Sequence, residues 1–500
     1  MVLPLLEKIK SNLDRFADRN AFYIRDTYFT YRQFKERILT IASRIMKDHP
    51  RHQQTIGVVT HDHIDTYASI LAIWFTGNIF VPVNPKNPPD RIKQIIQQAG
   101  LRQVFVSDEA GILSETEEFV EFVPAGHLPP VTNDPGWPEI NRDNILYLLF
   151  TSGSTGVPKG VPISLKNLDA FARDFIAHGY NFKPHDRFLQ IYDLSFDGSL
   201  PCYVLPLITG ACIFTVPQDE IRYLYALRLM QQHALSVIKM TPSTLFYLKP
   251  YFNEIKLDKV RYCLFGGEAL HADLVKDWAN CIPEAVIHNV YGPTEATIIC
   301  MIYSWNRYSG NNQWNSILPI GKPLASSRAL VVDSNLHPLD SGEKGELCIA
   351  GPQLMPGYWN DPVKDAAAFF ELETEGRSER YYRTGDLVIR DEKGDYLFAG
   401  RLDEQVQIDG FRVELGEIEK HARDFTKLNN IAAISVHNEQ GTNQIHLFVE
   451  GTARDREALI KYLESRLPYY MIPSSVQYID TMPKSAGGKI QKSRLRNLLP

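Results

Sequence analysis

Tyr147-Leu148-Leu149-Phe150-Thr151-Ser152-Gly153-Ser154-Thr155-Gly156-Val157-Pro158-Lys159-Gly160 is the stretch on which the reading of this chain turns. The unbroken apolar run at 145–150 predicts a strand buried on both faces. It empties into a loop of hydroxyls and glycines that ends in a lysine, which is the composition of a phosphate cradle. Glycines let backbone amides turn toward an anion with no side chain in the way; Thr151, Ser152 and Ser154 add donors, and Lys159 adds a charge. The spacing departs from the P-loop of nucleoside triphosphatases, because Pro158 stands five residues after Gly153 and no Gly-Lys-Ser/Thr follows. A buried strand before the loop and an amphipathic pattern after it set the segment apart from a Gly/Ser linker. Ser164 is the expected N-cap of a helix with Leu168, Phe171, Ala172, Phe175 and Ile176 on one face. The order strand, loop, helix would then bring the positive end of a helix dipole near the anion.

Upstream, strand patterns at 55–59 and 79–83 flank a helical pattern at 65–75, an alternation that predicts an α/β sheet covered by helices. Five prolines and two glycines within 124–139 mark a loop or extended linker ahead of the central strand. Downstream, Ser195-Phe196-Asp197-Gly198-Ser199 sets an acid in a glycine turn; alone it reads as a turn residue. Residues 261–268 and 286–297 are further strands that run into glycine turns, Gly266-Gly267-Glu268 and Tyr291-Gly292-Pro293-Thr294-Glu295. Strands that end this way predict one crevice at the carboxyl edge of a sheet, where α/β proteins bind ligands. The texture changes at 345–387 to short strands and turns, a small β-rich subdomain. After 398–405 come a helix at 415–425, strands at 431–436 and 445–449, and a helix at 455–467. The expected fold is therefore α/β: a large N-terminal domain of α/β sheets with a small β-rich subdomain, residues 1–402, and a small mobile C-terminal α/β domain, residues 403–500.

Five hundred residues exceed what one core usually organises, in keeping with two domains. The net charge of −6 excludes a general basic surface of the kind that holds nucleic acid, although Lys484, Lys489, Lys492, Arg494 and Arg496 cluster near the end. Six scattered cysteines without a Cys-x-x-Cys pair read as buried reduced thiols. The start of the chain lacks a signal-peptide pattern, and the apolar window 70–83 is too interrupted for membrane insertion, so a cytoplasmic location is expected.

Taken in order, segments 151–160, 291–295, 382–387, 400–419 and 483–489 resemble the adenylate-forming superfamily of acyl-CoA synthetases, nonribosomal-peptide adenylation domains and firefly luciferases. The likeness runs from about Thr30 to Arg494. The wording of 400–406, 410–419 and 467–473 is similar to amino-acid-activating members. Stand-alone D-alanine:carrier-protein ligases are similar in length and in Gly160-Val161-Pro162-Ile163-Ser164, but usually carry cysteine where this chain has Gly266.

The resemblance implies that a substrate carboxylate attacks the α-phosphate of ATP, releasing pyrophosphate, and that the acyl group then passes to a thiol. It implies that Thr151, Ser152, Gly153, Ser154, Thr155, Gly156 and Lys159 clamp the β- and γ-phosphates. Thr294 would contact phosphate and Glu295 would hold Mg²⁺, since a carboxylate suits a hard cation. Tyr291 would stack on adenine, with Gly266, Gly267, Glu268, Asn289 and Gly292 around the nucleotide. Asp386 would accept from the ribose hydroxyls, assisted by Arg401, and Lys489 would be the mobile catalytic cation. Asp403 matches the family hinge, about which the small domain rotates so that its Gly410 face serves the second step.

By the same resemblance Asp197 pairs with a substrate α-ammonium, which favours an amino acid over a fatty or aryl acid. The pocket would be lined by Phe196, Gly198, Pro201, Lys239, Leu264, Gly266, Val290, Ile298 and Ile299. If Lys239 points inward it favours an acidic or amide side chain; one residue of slippage makes it a solvated lysine. The chain ends eleven residues after Lys489, so the expected acceptor is a phosphopantetheinylated carrier protein acting in trans. The alternatives are an acyl-CoA synthetase for a non-amino acid, a D-alanine ligase of a cell-wall pathway, and a non-catalytic binding protein. The last is opposed by the joint presence of Lys159, Glu295, Asp386, Arg401 and Lys489.

Overall fold

A computed structural model describes residues 4–499, apart from 109–112, 117, 132, 135, 154–155, 309, 375, 439–440, 453–455 and 486–489. The fold is mixed α/β, as expected. Two large sheets dominate. One has six strands in the order Glu121–Pro124, Gln103–Val106, Thr55–Val59, Ile79–Val83, Ile145–Thr151 and Lys159–Ser164, parallel except for the last pair. The other has nine, with a parallel centre that runs Asn20–Ile24, Cys212–Thr215, Arg187–Gln190, Val237–Met240, Tyr262–Gly266 and Val286–Tyr291.

The helices Ile64–Phe75 and Leu200–Thr209 are apolar on nearly every side, and a helix of that kind belongs inside a protein. They share one core with side chains of both sheets, among them Val58, Phe80 and Tyr147 from the first and Phe22, Phe188 and Leu264 from the second. Trp74 and Tyr67 of one helix pack on Tyr203 of the other.

One expectation is overturned beside the phosphate loop. Lys159–Ser164 is a strand, not the lead-in to a helix, and it pairs antiparallel with Ile145–Thr151 so that Ser164 stands opposite Ile145. Ser164 does cap the helix Leu165–Ala177, in a capping box with Asn167. That helix therefore starts a strand length away from the loop, and its dipole does not act on an anion there. Pro162 obscured the strand; it is tolerated because the strand lies at the sheet edge.

The β-rich part runs from Arg328–Val332 to Tyr396–Arg401, wider than 345–387. Its 14-residue strand Arg377–Arg390 pairs Phe369–Thr374 along its first half and Tyr396–Arg401 along its second. Beyond it, Gln405–Ile408 and Phe411–Glu414 form a hairpin whose two central residues, Asp409 and Gly410, have φ of 48° and 81°, as in a type I′ turn. The expected helix and strands follow as Leu415–Thr426, Ile431–His437 and Asn443–Glu450, then the helix Arg456–Glu464 and an unexpected third strand, Ser475–Ile479. Alternation along Ile431–His437 sends Ile431 and Ala433 to one core and Ala432 and Ile434 to another. All six cysteines are reduced, and among the described residues no helix is long and apolar enough to cross a membrane.

Candidate active site

The parallel strands Val237–Met240, Tyr262–Gly266 and Val286–Tyr291 end beside a cavity of about 240 Å³. Phe196, Asp197, Gly198, Lys239, Gly266, Gly267, Val290, Gly292, Ile298 and Ile299 line it. Pro201 and Leu264 do not; with Lys239 they line a pocket of about 10 Å³ next to it.

Asp197 opens a short 3₁₀ turn that leads into the helix Leu200–Thr209. Its Oδ2 is buried with no hydrogen-bond partner. Burial pushes the carboxyl up to about 6, against the opposing pull of Lys239, the Thr294 hydroxyl and the Gly198 amide. Lys239 is 7% exposed and points inward. Its Nζ donates to the Gly198 carbonyl at 3.1 Å and lies 3.9 Å from the centre of the Tyr192 ring. The slipped register is thereby removed.

At the end of the Ile145–Thr151 strand, Thr151 Oγ1 is buried without a partner. A Cβ on Gly153 would stand 2.2 Å from the Val157 carbonyl, so glycine is required for the loop to close. Ser154 and Thr155 lie outside the described residues. Lys159 is half-buried; desolvation lowers its ammonium to about 8, helped by Arg412 and resisted by Glu295 and Glu414. Glu295 is fully buried and accepts from Tyr358 Oη at 2.8 Å and Arg412 Nη1 at 3.0 Å. Burial raises its carboxyl, but Arg412 and Lys159 overcome that and hold it at about 2. An ionised, wholly buried carboxylate of this kind is a seat for a cation.

Asp386, buried on the long strand, accepts from Tyr291 Oη at 2.5 Å and from Arg401. Arg401 also grips Asp403 at 2.6 and 2.7 Å, so it joins Asp386 to the start of the C-terminal segment. Asn289 is buried and spends its Nδ2 on the Pro319 carbonyl at 2.8 Å. Glu268 accepts from the amides of Ser243 at 2.7 Å and Gly410 at 2.6 Å.

The C-terminal hairpin and helix sit directly on this site. A Cβ on Gly410 would come 2.5 Å from Thr241 Cγ2, and Phe411 stacks on Tyr470 at 4.1 Å while its ring meets Phe196 edge-on. Ser152 Oγ donates to the Arg412 carbonyl at 2.8 Å. Glu417 accepts from Arg91 at 2.7 Å in a buried pair, while its Oε2 is buried without a hydrogen-bond partner. Arg91, Arg412, Glu414 and Glu417 were not assigned individual roles from the sequence. The one available signal was the density of charge between the apolar positions of 411–419. Lys489 lies outside the described residues; its neighbours Lys484 and Ile490 pair as a β-bridge, and Ile490 packs with Ala432, Ile434 and Phe448, on the side of the small sheet opposite Phe411.

A family model described as AMP-binding enzyme matches residues 9–359. The chain is 30% identical to one component of the linear gramicidin synthase of Brevibacillus parabrevis, over 98% of its own length and 6% of that protein. It spans 10% of another component of the same synthase. It is also 30% identical to the D-alanine--D-alanyl carrier protein ligase of Bacillus cereus (strain ATCC 10987 / NRS 248), over 99% of both. Among solved structures it resembles holo-PA1221, an NRPS protein containing adenylation and PCP domains, with a TM-score of 0.88 and 25% identity over 99% of this chain and 84% of that one. The Vibrio cholerae adenylation domain AlmE in complex with glycyl-adenosine-5'-phosphate shares the fold, with a TM-score of 0.86 at 23% identity over 100% of this chain and 98% of that one.

Proposed function

The chain belongs to the AMP-binding enzymes, and from that premise we propose that it activates an amino acid as its aminoacyl-adenylate and passes the aminoacyl group to the phosphopantetheine thiol of a separate carrier protein. The observation that carries the amino-acid reading is the partnerless, buried Oδ2 of Asp197 inside the cavity. A carboxylate in that state costs free energy until an opposite charge arrives, and a substrate α-ammonium is such a charge.

In the first step a substrate carboxylate oxygen attacks the α-phosphorus of ATP, the α–β bridging bond breaks, and pyrophosphate leaves. Both reactants are anions, so the residues' task is alignment and neutralisation of charge. Thr151, the loop amides and Lys159 would receive the leaving phosphates, Asp386 with Arg401 the ribose, and Tyr291 the base. Glu295 would hold Mg²⁺ together with phosphate oxygens; when bound, the ion neutralises phosphate charge. Its ionised carboxylate already carries a cation, the Arg412 guanidinium. Lys489 would supply the charge opposite the phosphate loop.

In the second step the thiol attacks the acyl carbon and AMP leaves. We assign the orientation seen here to this step, because Arg412 stands on Glu295 and its carbonyl takes the Ser152 hydroxyl, where Mg²⁺ and the β- and γ-phosphates would otherwise bind. Rotation of residues 403–500 against 1–402 about Asp403 would exchange these partners for Lys489. The Arg222, Tyr223, Tyr247 and Tyr469 side of the cavity is the approach we assign to the pantetheine arm. ATP supply and six reduced cysteines suit a cytoplasmic setting.

A second reading, D-alanine activation, draws on the match to D-alanine--D-alanyl carrier protein ligases over 99% of both chains; the inward-facing Lys239 speaks against so small and neutral a side chain. ATP–pyrophosphate exchange over a panel of amino acids and of fatty and aryl acids tests the proposal. Exchange that depends on an amino acid is the expected result; exchange with a non-amino acid alone points to an acyl-CoA synthetase.

A further inference from the structure

Resting on the amino-acid reading above, we propose that the substrate carries a second carboxylate on a short side chain, of the aspartate class, which Lys239 receives with the help of Tyr192. An ammonium has three N–H donors. In Lys239 one donates to the Gly198 carbonyl at 3.1 Å and another faces the Tyr192 ring, with Nζ 3.9 Å from its centre. Tyr192 Oη, in the lining of the same cavity, is buried with no hydrogen-bond partner, as is Asp197 Oδ2. The cavity thus holds polar groups of both signs that the protein itself leaves incompletely matched.

Asp197 and Lys239 act on each other through space, and no ion pair joins them among the described residues. Burial already pulls the Lys239 ammonium down, with Asp197 resisting; once a substrate ammonium has paired with Asp197 that support is lost, and a lone buried cation is costly. The substrate's α-carboxylate cannot compensate it, because that group becomes a neutral acyl group when the adenylate forms. A side-chain carboxylate restores the balance through both steps. An amide would offer an acceptor oxygen but leave the charge. The ammonium lies against the Asp197–Gly198 turn, 3.4 Å from where a Cβ on Gly198 would stand, so a carboxylate one or two methylenes from the α-carbon is the one it can meet.

The test is ATP–pyrophosphate exchange by the full chain with both enantiomers of aspartate and alanine, and with asparagine, glutamate, glycine and leucine. Aspartate should exceed asparagine by ~10-fold and alanine by ~100-fold in kcat/KM, the scale of leaving a buried charge unpaired. Lys239→Met should lower the aspartate value ~100-fold while neutral amino acids hold or gain. Tyr192→Phe should lower it ~10-fold, as for one hydrogen bond to a charged group. Stabilisation of each variant by ATP against heat reports that it is folded. Preference of the unsubstituted enzyme for asparagine, alanine, glycine or leucine overturns the inference and leaves amino-acid activation standing. Exchange with no amino acid at all overturns both.

Discussion

Burial with an oxygen left unpartnered favours the neutral acid of a carboxylate, which is why Asp197 is lifted to about 6. An ammonium ligand needs the ionised form. In the free enzyme kcat/KM for the amino acid should therefore fall as pH drops below about 6, approaching ~10-fold per unit, and Asp197→Asn should abolish that limb along with most activity. The sign for stability is the reverse of the usual carboxylate case. A folded pKa raised from 3.8 to about 6 means that the contribution is present at low pH and lost as pH rises through that window. Ligand ammonium relieves that loss, so stabilisation against heat by the amino acid should be larger at pH 7 than at pH 5; the opposite order would remove Asp197 from the ammonium site. At this scale the sequence was legible in kind but not in direction. Asp197 sits in a turn that any acid could occupy, and Lys239 interrupts an apolar run buried on both faces, where period-two alternation cannot say which face holds the ligand.

Among elements, the hairpin at Gln405–Ile408 and Phe411–Glu414 decides what the site can do. It carries Arg412 to Glu295 and its turn to Glu268 and Thr241. Removing one partner from a buried ion pair costs about 3 kcal/mol or more, because the other charge is left alone. Arg412→Ala should accordingly weaken this docked orientation and slow aminoacyl transfer to a thiol by ~10-fold or more, with pyrophosphate exchange changed less than ~3-fold. Equal loss in both assays would make Arg412 a general structural residue. The Asp-Gly turn is a strong hairpin signal, flanked by the alternation of 405–414. The strand at Lys159–Ser164 was hidden for a physical reason: Pro162 reads as a breaker, yet an edge strand can omit that amide. The helix start at Ser164 was legible; its distance from the loop was not, because the strand between them was missed.

Over the whole molecule, the two large sheets and the buried helices between them follow from unbroken apolar runs, which is why the α/β class could be read at once. The seat of the C-terminal segment could not, because its pairs with the rest of the chain join residues hundreds of positions apart, such as Arg91 with Glu417. On the proposed reading one site serves two reactions in turn, with Lys489 and the hairpin alternating over it. Lys489→Ala should cut exchange by at least ~10²-fold, the usual cost of losing a transition-state charge donor, and spare transfer from preformed adenylate. Asp403→Pro, at the point gripped by Arg401, should do the converse; a variant that loses both activities equally would argue against alternation.

An amino acid activated through its adenylate leaves one carboxylate oxygen on AMP, and that oxygen can be followed. With an amino acid labelled by ¹⁸O in its α-carboxylate, aspartate first, and hydroxylamine as the acceptor, one labelled oxygen should appear in AMP and none in pyrophosphate. Label in orthophosphate with formation of ADP, or unlabelled AMP, would rule out activation through the adenylate.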